Sequence, residues 1–580
     1  MSEWRPLGRT GSPHDPQWTE KEFSTGGSRD DLGLETLGES ILSDLLPGIN
    51  NQTRRARYYS FWAWVLRDFI NDSDTKHTQP SLYEWLRRRE SALILANLSH
   101  DCGGGASGST IGSKVWQGGK DESYPLGWKS LESVSGGGYQ LYYRGALQET
   151  NIIVSDDESP HDNLTKSVGL RLAEAYDHAV AGSRYVRDYL DATIVRKKDL
   201  EDFADVGCLC KASIDEQERK SLIDTLFRFD TPDVIAAKRL ASLSLFLDII
   251  DQSDVQPLDE DSFRAALYFW SFGNHHAYRP KGNLLEAAQR WRVFQLRQYS
   301  VFAIESFWSL FLHRIQIEPL CEEEYVDWLL EDLDLGAQGE ELNLSLPAGE
   351  LRFAPLLDIF EAIRAALPKD ALTPGPSAQS VQLNERHLAD QVRNERSRAD
   401  VSIHAGNALL MLGLMYWRSS AWKELPGYRY VSEPFAAGRL PFERFIRDVN
   451  RAFEEEWSLA RWMIWFHRRY LWLQHRRITL EKLVGRGEET SKFELQYDEG
   501  SSVARFKGLD VDVPKMNAPR FPSAISIFLD LDLIEELADG YRLRPEGKRL
   551  LDQFRQYRAP AWQEPEEEHE AAFDLEAFSG

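Results

Sequence analysis

Apolar side chains that recur every three or four residues, with almost no alternating runs, limit this chain to a largely helical architecture. Leu172, Tyr176, Ala179, Val186 and Leu190 fall at such intervals or their sums, which predicts one helical face. A longer series, Trp291, Phe294, Val301, Ile304, Phe307, Trp308 and Phe311, follows Asn283, a residue suited to an N-cap, and precedes an acidic segment at 322–330. Strand signals are confined to residues 139–143, after Gly136, Gly137 and Gly138, and to a pair of runs at 493–497 and 502–506. The expected class is mainly α, a multidomain helical protein with a small C-terminal α+β module.

Length enters through the size of a core. A chain of 580 residues exceeds the roughly 250–300 that one core organises, so about two to four domains are expected. Residues 1–33, rich in Gly, Ser, Pro and charge, read as a mobile N-terminal arm. A helical N-terminal domain is expected over 34–335, a loop-rich boundary over 336–380 and a second helical domain over 381–485. The α+β module spans 486–558, and 559–580 is an acidic tail with three apolar anchors, Phe573, Leu575 and Phe578.

Composition excludes several classes. With 18 Trp, 42% hydrophobic and 28% charged residues the chain is globular rather than disordered. Cys102, Cys208, Cys210 and Cys321 are too few to staple it, which fits a reducing, cytoplasmic setting. The N-terminus has no apolar core of a signal peptide. The longest apolar runs, 301–312 and 408–417, fall short of the ~20 residues that cross a bilayer, so no membrane span is expected. A net charge of -24 argues against indiscriminate coating of nucleic acid, leaving any such contact to local basic patches.

The strongest such patch is the run 461–477, which mixes Arg and His with aromatic rings and contains no carboxylate. On a regular helix Trp465 and Trp472 share a face flanked by Arg461, Arg468 and Arg476, while Trp462, Phe466 and Leu473 form a neighbouring stripe. Guanidinium groups pair with phosphates and exposed indoles stack on bases, so the pattern suits a nucleic-acid surface. The commoner reading is core packing with Arg heads reaching water. A second cluster, at 51–64, puts Arg54 and Arg57 on one face with Tyr58 and Phe61, either as a phosphate-facing helix start or as a solvated rim.

Residues 523–534, rich in Ile, Leu and Phe, lead to Gly540-Tyr541-Arg542-Leu543-Arg544-Pro545-Glu546-Gly547-Lys548-Arg549. This stretch resembles the last part of a winged-helix domain, in which a helix leads to a β-wing and a Pro-x-Gly sequence opens the closing helix. The resemblance implies DNA contact, or a protein-protein module, since winged helices serve as both. From 541 to 558 the cations Arg542, Arg544, Lys548, Arg549, Arg555 and Arg558 outnumber Glu546 and Asp552, which fits contact with a phosphate backbone.

Other candidates carry less. The loop 103–114 lacks the glycine and lysine order of a phosphate loop and reads as a connector. His100-Asp101-Cys102 are adjacent, which does not make a catalytic triad, and His275-His276 and Cys208-Leu209-Cys210 match no common metal-ligand spacing, so no metal or cofactor is expected. Glu305, on an apolar helix, is expected to pair with an Arg such as Arg297. Glu494, Asp498 and Lys507 are the compact candidates for a metal-dependent hydrolase.

Residues 45–59 and 142–147 resemble large bacterial proteins of mobile elements and phage-defence clusters, which implies an accessory subunit of a multi-component antiviral system. The expected function is a nucleic-acid-sensing or scaffold subunit. Arg461, Arg468, Trp472, Arg476, Arg542, Arg544, Lys548 and Arg549 would contact DNA in preference to RNA, and the acidic tail a protein partner. A pure protein-interaction subunit and a hydrolase are the alternatives.

Overall fold

The computed structural model describes residues 30–557 except 73–76, 101–107, 120–121, 132–133, 156–158, 160, 230–231, 254–257, 273–275, 332, 334, 336–349, 374, 395–400, 421, 424, 426–427, 429–441, 487–494, 498–503, 507–510, 512–513 and 539. The expected arm up to residue 29, the acidic tail, and Asp101, Cys102, His275, Glu494, Asp498, Lys507 and Arg558 lie outside the described residues.

The protein is mainly α. Among the described residues its strands form four two-stranded antiparallel ribbons. One of them, Leu495–Tyr497 against Ala504–Phe506, is the hairpin that the paired runs predict. No helix among the described residues is long and apolar enough to cross a membrane.

A central helix, Leu284–Ile317, organises the body over 34 residues. Its buried positions run from Leu284 to Ile315 on every side, so it must be covered all round. Helices Leu34–Leu45, Val234–Gln252 and Glu260–Phe269 cover part of it, and Val401–Ser420 lies along it. Residues from both sides of 336–380 share one buried apolar cluster that runs from Leu32 to Phe554. A buried hydrogen bond ties the two sides: the Tyr268 hydroxyl donates at 2.6 Å to Glu385 Oε1, the oxygen that also lies 2.7 Å from Arg418 Nε in a fully buried ion pair.

Residues 30–33, expected within the arm, belong to the body. Leu32 is buried, the Trp308 indole donates to Asp31 at 3.0 Å, and the Asp30 carboxylate accepts the N–H groups of Glu35 and Thr36 at the start of the first helix. The face predicted from Leu172 to Leu190 is broken into Gly169–Val180 and Arg184–Asp188, because Gly182 interrupts the helix and the Ser183 hydroxyl caps the next one by accepting the Val186 N–H.

Residues 139–143 are a π turn, not a strand. The three preceding glycines shape a carboxylate cradle instead of a strand entry. Gly137 has φ +60 and a Cβ there would lie 2.2 Å from Glu90 Oε2, while the Gly138 N–H donates to Glu90 Oε1 at 3.0 Å. The turn then sets Tyr139 and Tyr143 against Trp62 and Tyr58 of the aromatic helix Arg57–Asn71.

The C-terminal part runs helix Phe521–Asp530, ribbon Ile534–Leu537 with Gly540–Leu543, and closing helix Pro545–Gln556. It is not a free appendage. Phe521 stacks on Phe263 at 3.9 Å, and the closing helix packs on Val234–Gln252.

Candidate functional site

The basic-aromatic run begins at Ser458, whose hydroxyl caps helix Leu459–Phe466 by accepting the Arg461 N–H. At His467–Trp472 the helix widens into a π turn before continuing as Leu473–Arg486. A π turn shifts the phase by about one residue, so Trp465 and Trp472 part from the shared face that a regular helix predicts. Trp465 stays half-buried, its ring 5.8 Å from Trp457. Trp472 is 8% exposed and rests near Phe311 and His467, with no face available to a base. His467 is buried against Phe311 and Tyr325; burial, with the neighbouring Arg468 charge, pushes its pKa down to about 3.

The cations of this run already have partners. Arg468 Nε donates to Glu322 Oε2 at 2.7 Å and lies 3.5 Å from Glu323, at the acidic start of helix Glu322–Glu331. Arg461 is 3.2 Å from Glu455. Arg476 is exposed.

At the C-terminal module the same pattern holds. Asp530, at the end of helix Phe521–Asp530, is gripped by the Arg55 guanidinium at 2.8 and 3.0 Å and by the Ala56 N–H at 3.0 Å. Together with the buried Phe521, Ile525, Ile527 and Phe528, this holds the helix in the body, away from any groove. On the ribbon, Arg542 lies 3.5 Å from Glu535 and Arg544 2.5 Å from Asp532. Lys548 reaches Asp251 at 2.7 Å and Arg549 reaches Glu546 at 2.8 Å. Arg555 adds Asp248 at 2.7 Å, so the closing helix is zipped to Val234–Gln252 by charge as well as by packing.

The two groups of candidates do not converge. Asn283, at the head of the central helix, donates to Phe554 O of the closing helix at 3.1 Å, whereas His467 packs on Phe311 near the other end. At ~1.5 Å per residue these anchor points are roughly 40 Å apart.

The N-terminal cluster is resolved differently from either expectation. Arg57 is 1% exposed and pairs with the buried Glu218 at 2.8 Å, also donating to Val206 O and Cys208 O; it faces neither phosphate nor water. Glu305 does not pair with Arg297, whose guanidinium donates to Leu34 O at 3.1 Å. Its carboxylate has a long bond of 3.4 Å from the Lys515 N–H, and burial raises its pKa to about 8. The cavity beside Arg297, Ser300 and Tyr470 measures about 20 Å³, space for water and not for a substrate.

One cluster escaped the sequence reading. His100, Cys208 and Cys210 come together where helix Gln79–Ser99 ends against the turn after helix Lys197–Gly207. Cys210 Sγ lies 3.4 Å from both Cys208 Sγ and His100 Nδ1. The available signal was a Cys-x-Cys pair with a histidine 110 residues earlier, a separation that only helix packing closes. No protein family model, curated protein or solved structure matches this chain.

Proposed function

We propose that this protein is a helical scaffold subunit that works by holding other proteins, without base-reading contacts to nucleic acid. One observation carries the reading: six of the cations expected to meet DNA, Arg461, Arg468, Arg542, Arg544, Lys548 and Arg549, are answered by carboxylates of the same chain. Moving Arg468 to a phosphate would exchange one charge-assisted bond for another. It would also strand Glu322, whose side chain is 6% exposed, at a cost of about 1–3 kcal/mol. Counterion release, the usual source of DNA affinity, requires cations that are not already neutralised. In this reading the winged-helix-like module serves as a packing unit, and the assembly is a multi-component antiviral one, a step whose support is the N-terminal resemblance alone.

A second reading rests on a specific feature. Arg461 lies 4.4 Å and Arg451 5.9 Å from the Trp457 ring, and Arg469 5.5 Å from Trp465, an interleaving of cation and indole that suits single-stranded nucleic acid.

Fluorescence anisotropy with labelled single- and double-stranded DNA across a salt series separates the two. The scaffold reading expects no salt-steep binding and no difference in an Arg468/Arg476/Arg542/Arg544→Ala variant. Binding that strengthens as salt falls and is lost in that variant would overturn it. Purified from its native host, the tagged protein should carry stoichiometric partners that survive nuclease digestion; partners that leave with the nucleic acid would favour the second reading.

A further inference from the structure

The geometry points to a zinc site formed by His100, Cys208 and Cys210, independent of the scaffold reading. The three donor atoms lie within 4.8 Å of one another. Around a tetrahedral zinc, with bonds of ~2.3 Å to sulfur and ~2.0 Å to nitrogen, two thiolates sit ~3.8 Å apart and a thiolate and an imidazole nitrogen ~3.5 Å apart. The two edges that meet at Cys210 are both 3.4 Å, so two of the three donor pairs already stand near the coordination geometry. His100 is the residue that ends its helix, and the third edge, from its ring to Cys208, lies within the same 4.8 Å.

The local backbone explains the convergence. Cys208 ends helix Lys197–Gly207 with φ −56 and ψ 144, an extended residue that turns the chain into the single 3-10 turn Leu209–Lys211. That turn folds the Cys210 thiol back beside the Cys208 thiol. Asn97, three residues before His100, locks the junction: its Oδ1 accepts the Leu209 N–H at 3.2 Å and the Cys208 thiol at 3.1 Å, while its Nδ2 donates to Leu93 O at 2.7 Å. An orienting amide beside the ligands is the kind of support that metal-binding side chains need.

The donor set selects the metal. Two sulfurs and an imidazole suit zinc and other thiophilic ions, and offer nothing to calcium or magnesium, which require oxygen. Zinc loading displaces the thiol protons, including the one Cys208 gives to Asn97, and joins two helices distant in sequence.

The test is metal content. The protein, purified under reducing conditions without chelator and then incubated with zinc and desalted, is expected to hold about one zinc per chain by mass spectrometry. Cys208→Ser with Cys210→Ser should reduce this to near zero, and Cys321→Ser should leave it unchanged. Because the double variant can misfold, cobalt replacement in the wild type gives an independent reading: an intense visible ligand-field band with sulfur-to-cobalt charge transfer, removed by a thiol-blocking mercurial. Three results would overturn the site: no zinc retained by the folded wild type, zinc retained in full by the folded double variant, or a native Cys208–Cys210 disulfide in peptide mapping.

Discussion

Burial decides what the ionisable side chains of this protein do. Arg57 and Glu218 are 1% and 0% exposed, and each is tolerable inside only because the other is there. Arg57→Ala leaves a buried carboxylate alone, and chemical denaturation should show a loss of about 3–5 kcal/mol. Arg57→Met combined with Glu218→Leu should recover most of it; a single variant within 1 kcal/mol of wild type would mean water reaches the pair. Glu90 lacks a cation, accepts from Ser130 Oγ and the Gly138 N–H, and is pushed by burial up to about 7 from an ordinary 4.5. The folded state therefore keeps a proton that the unfolded chain releases, so this residue's contribution to stability falls as pH rises from 4.5 to about 7, by up to ~1.4 kcal/mol per unit. His467, held near 3 against an ordinary 6.5, acts in the opposite direction as pH falls through that window. Midpoints measured from pH 5 to 8 should consequently decline less with pH in Glu90→Gln than in wild type, and parallel slopes would show that Glu90 ionises freely.

Within the elements, the π turns matter most, because each departs from the periodicity by which a helix face is read. At His467–Trp472 the wider turn puts His467, Tyr470, Leu471 and Trp472 into the core. Trp472→Ala should then cost about 3–5 kcal/mol in stability and leave any DNA affinity unchanged. Loss of affinity at unaltered stability would return Trp472 to the surface role that a regular helix assigns it. The turn at Tyr139–Tyr143 was hidden by its own composition: three glycines followed by tyrosines look like a strand entry, yet Gly137 makes room for Glu90, Gly138 donates its N–H to it, and the rings fill the space beside Trp62. A period of 3.6 contains no signal for a residue inserted to improve packing.

The whole molecule behaves as one packed unit around the central helix. The closing helix is attached by Lys548 to Asp251 and by Arg555 to Asp248, and Arg55 holds Asp530 across 475 residues of sequence. Removing residues 514–580 should lower the thermal midpoint of the remainder by several degrees, relative to a chain ending at 557, and broaden the transition. An unchanged midpoint would show that the module is independent, as the sequence-derived boundaries supposed.

Local order was legible in the chain: the helical class and the central helix follow from periodicity, the hairpin near 495–506 from its paired strand runs, and the closing helix opened by Pro545 from the winged-helix resemblance, while Asn283, expected as an N-cap, makes no side-chain cap bond and donates to Phe554 O instead. Partners were not. Which carboxylate answers Arg468, whether Trp472 meets water, and whether His100 meets two thiols depend on how helices far apart in sequence are packed. Periodicity fixes the face a side chain occupies, while the charge or donor opposite that face exists only once the helices have come together.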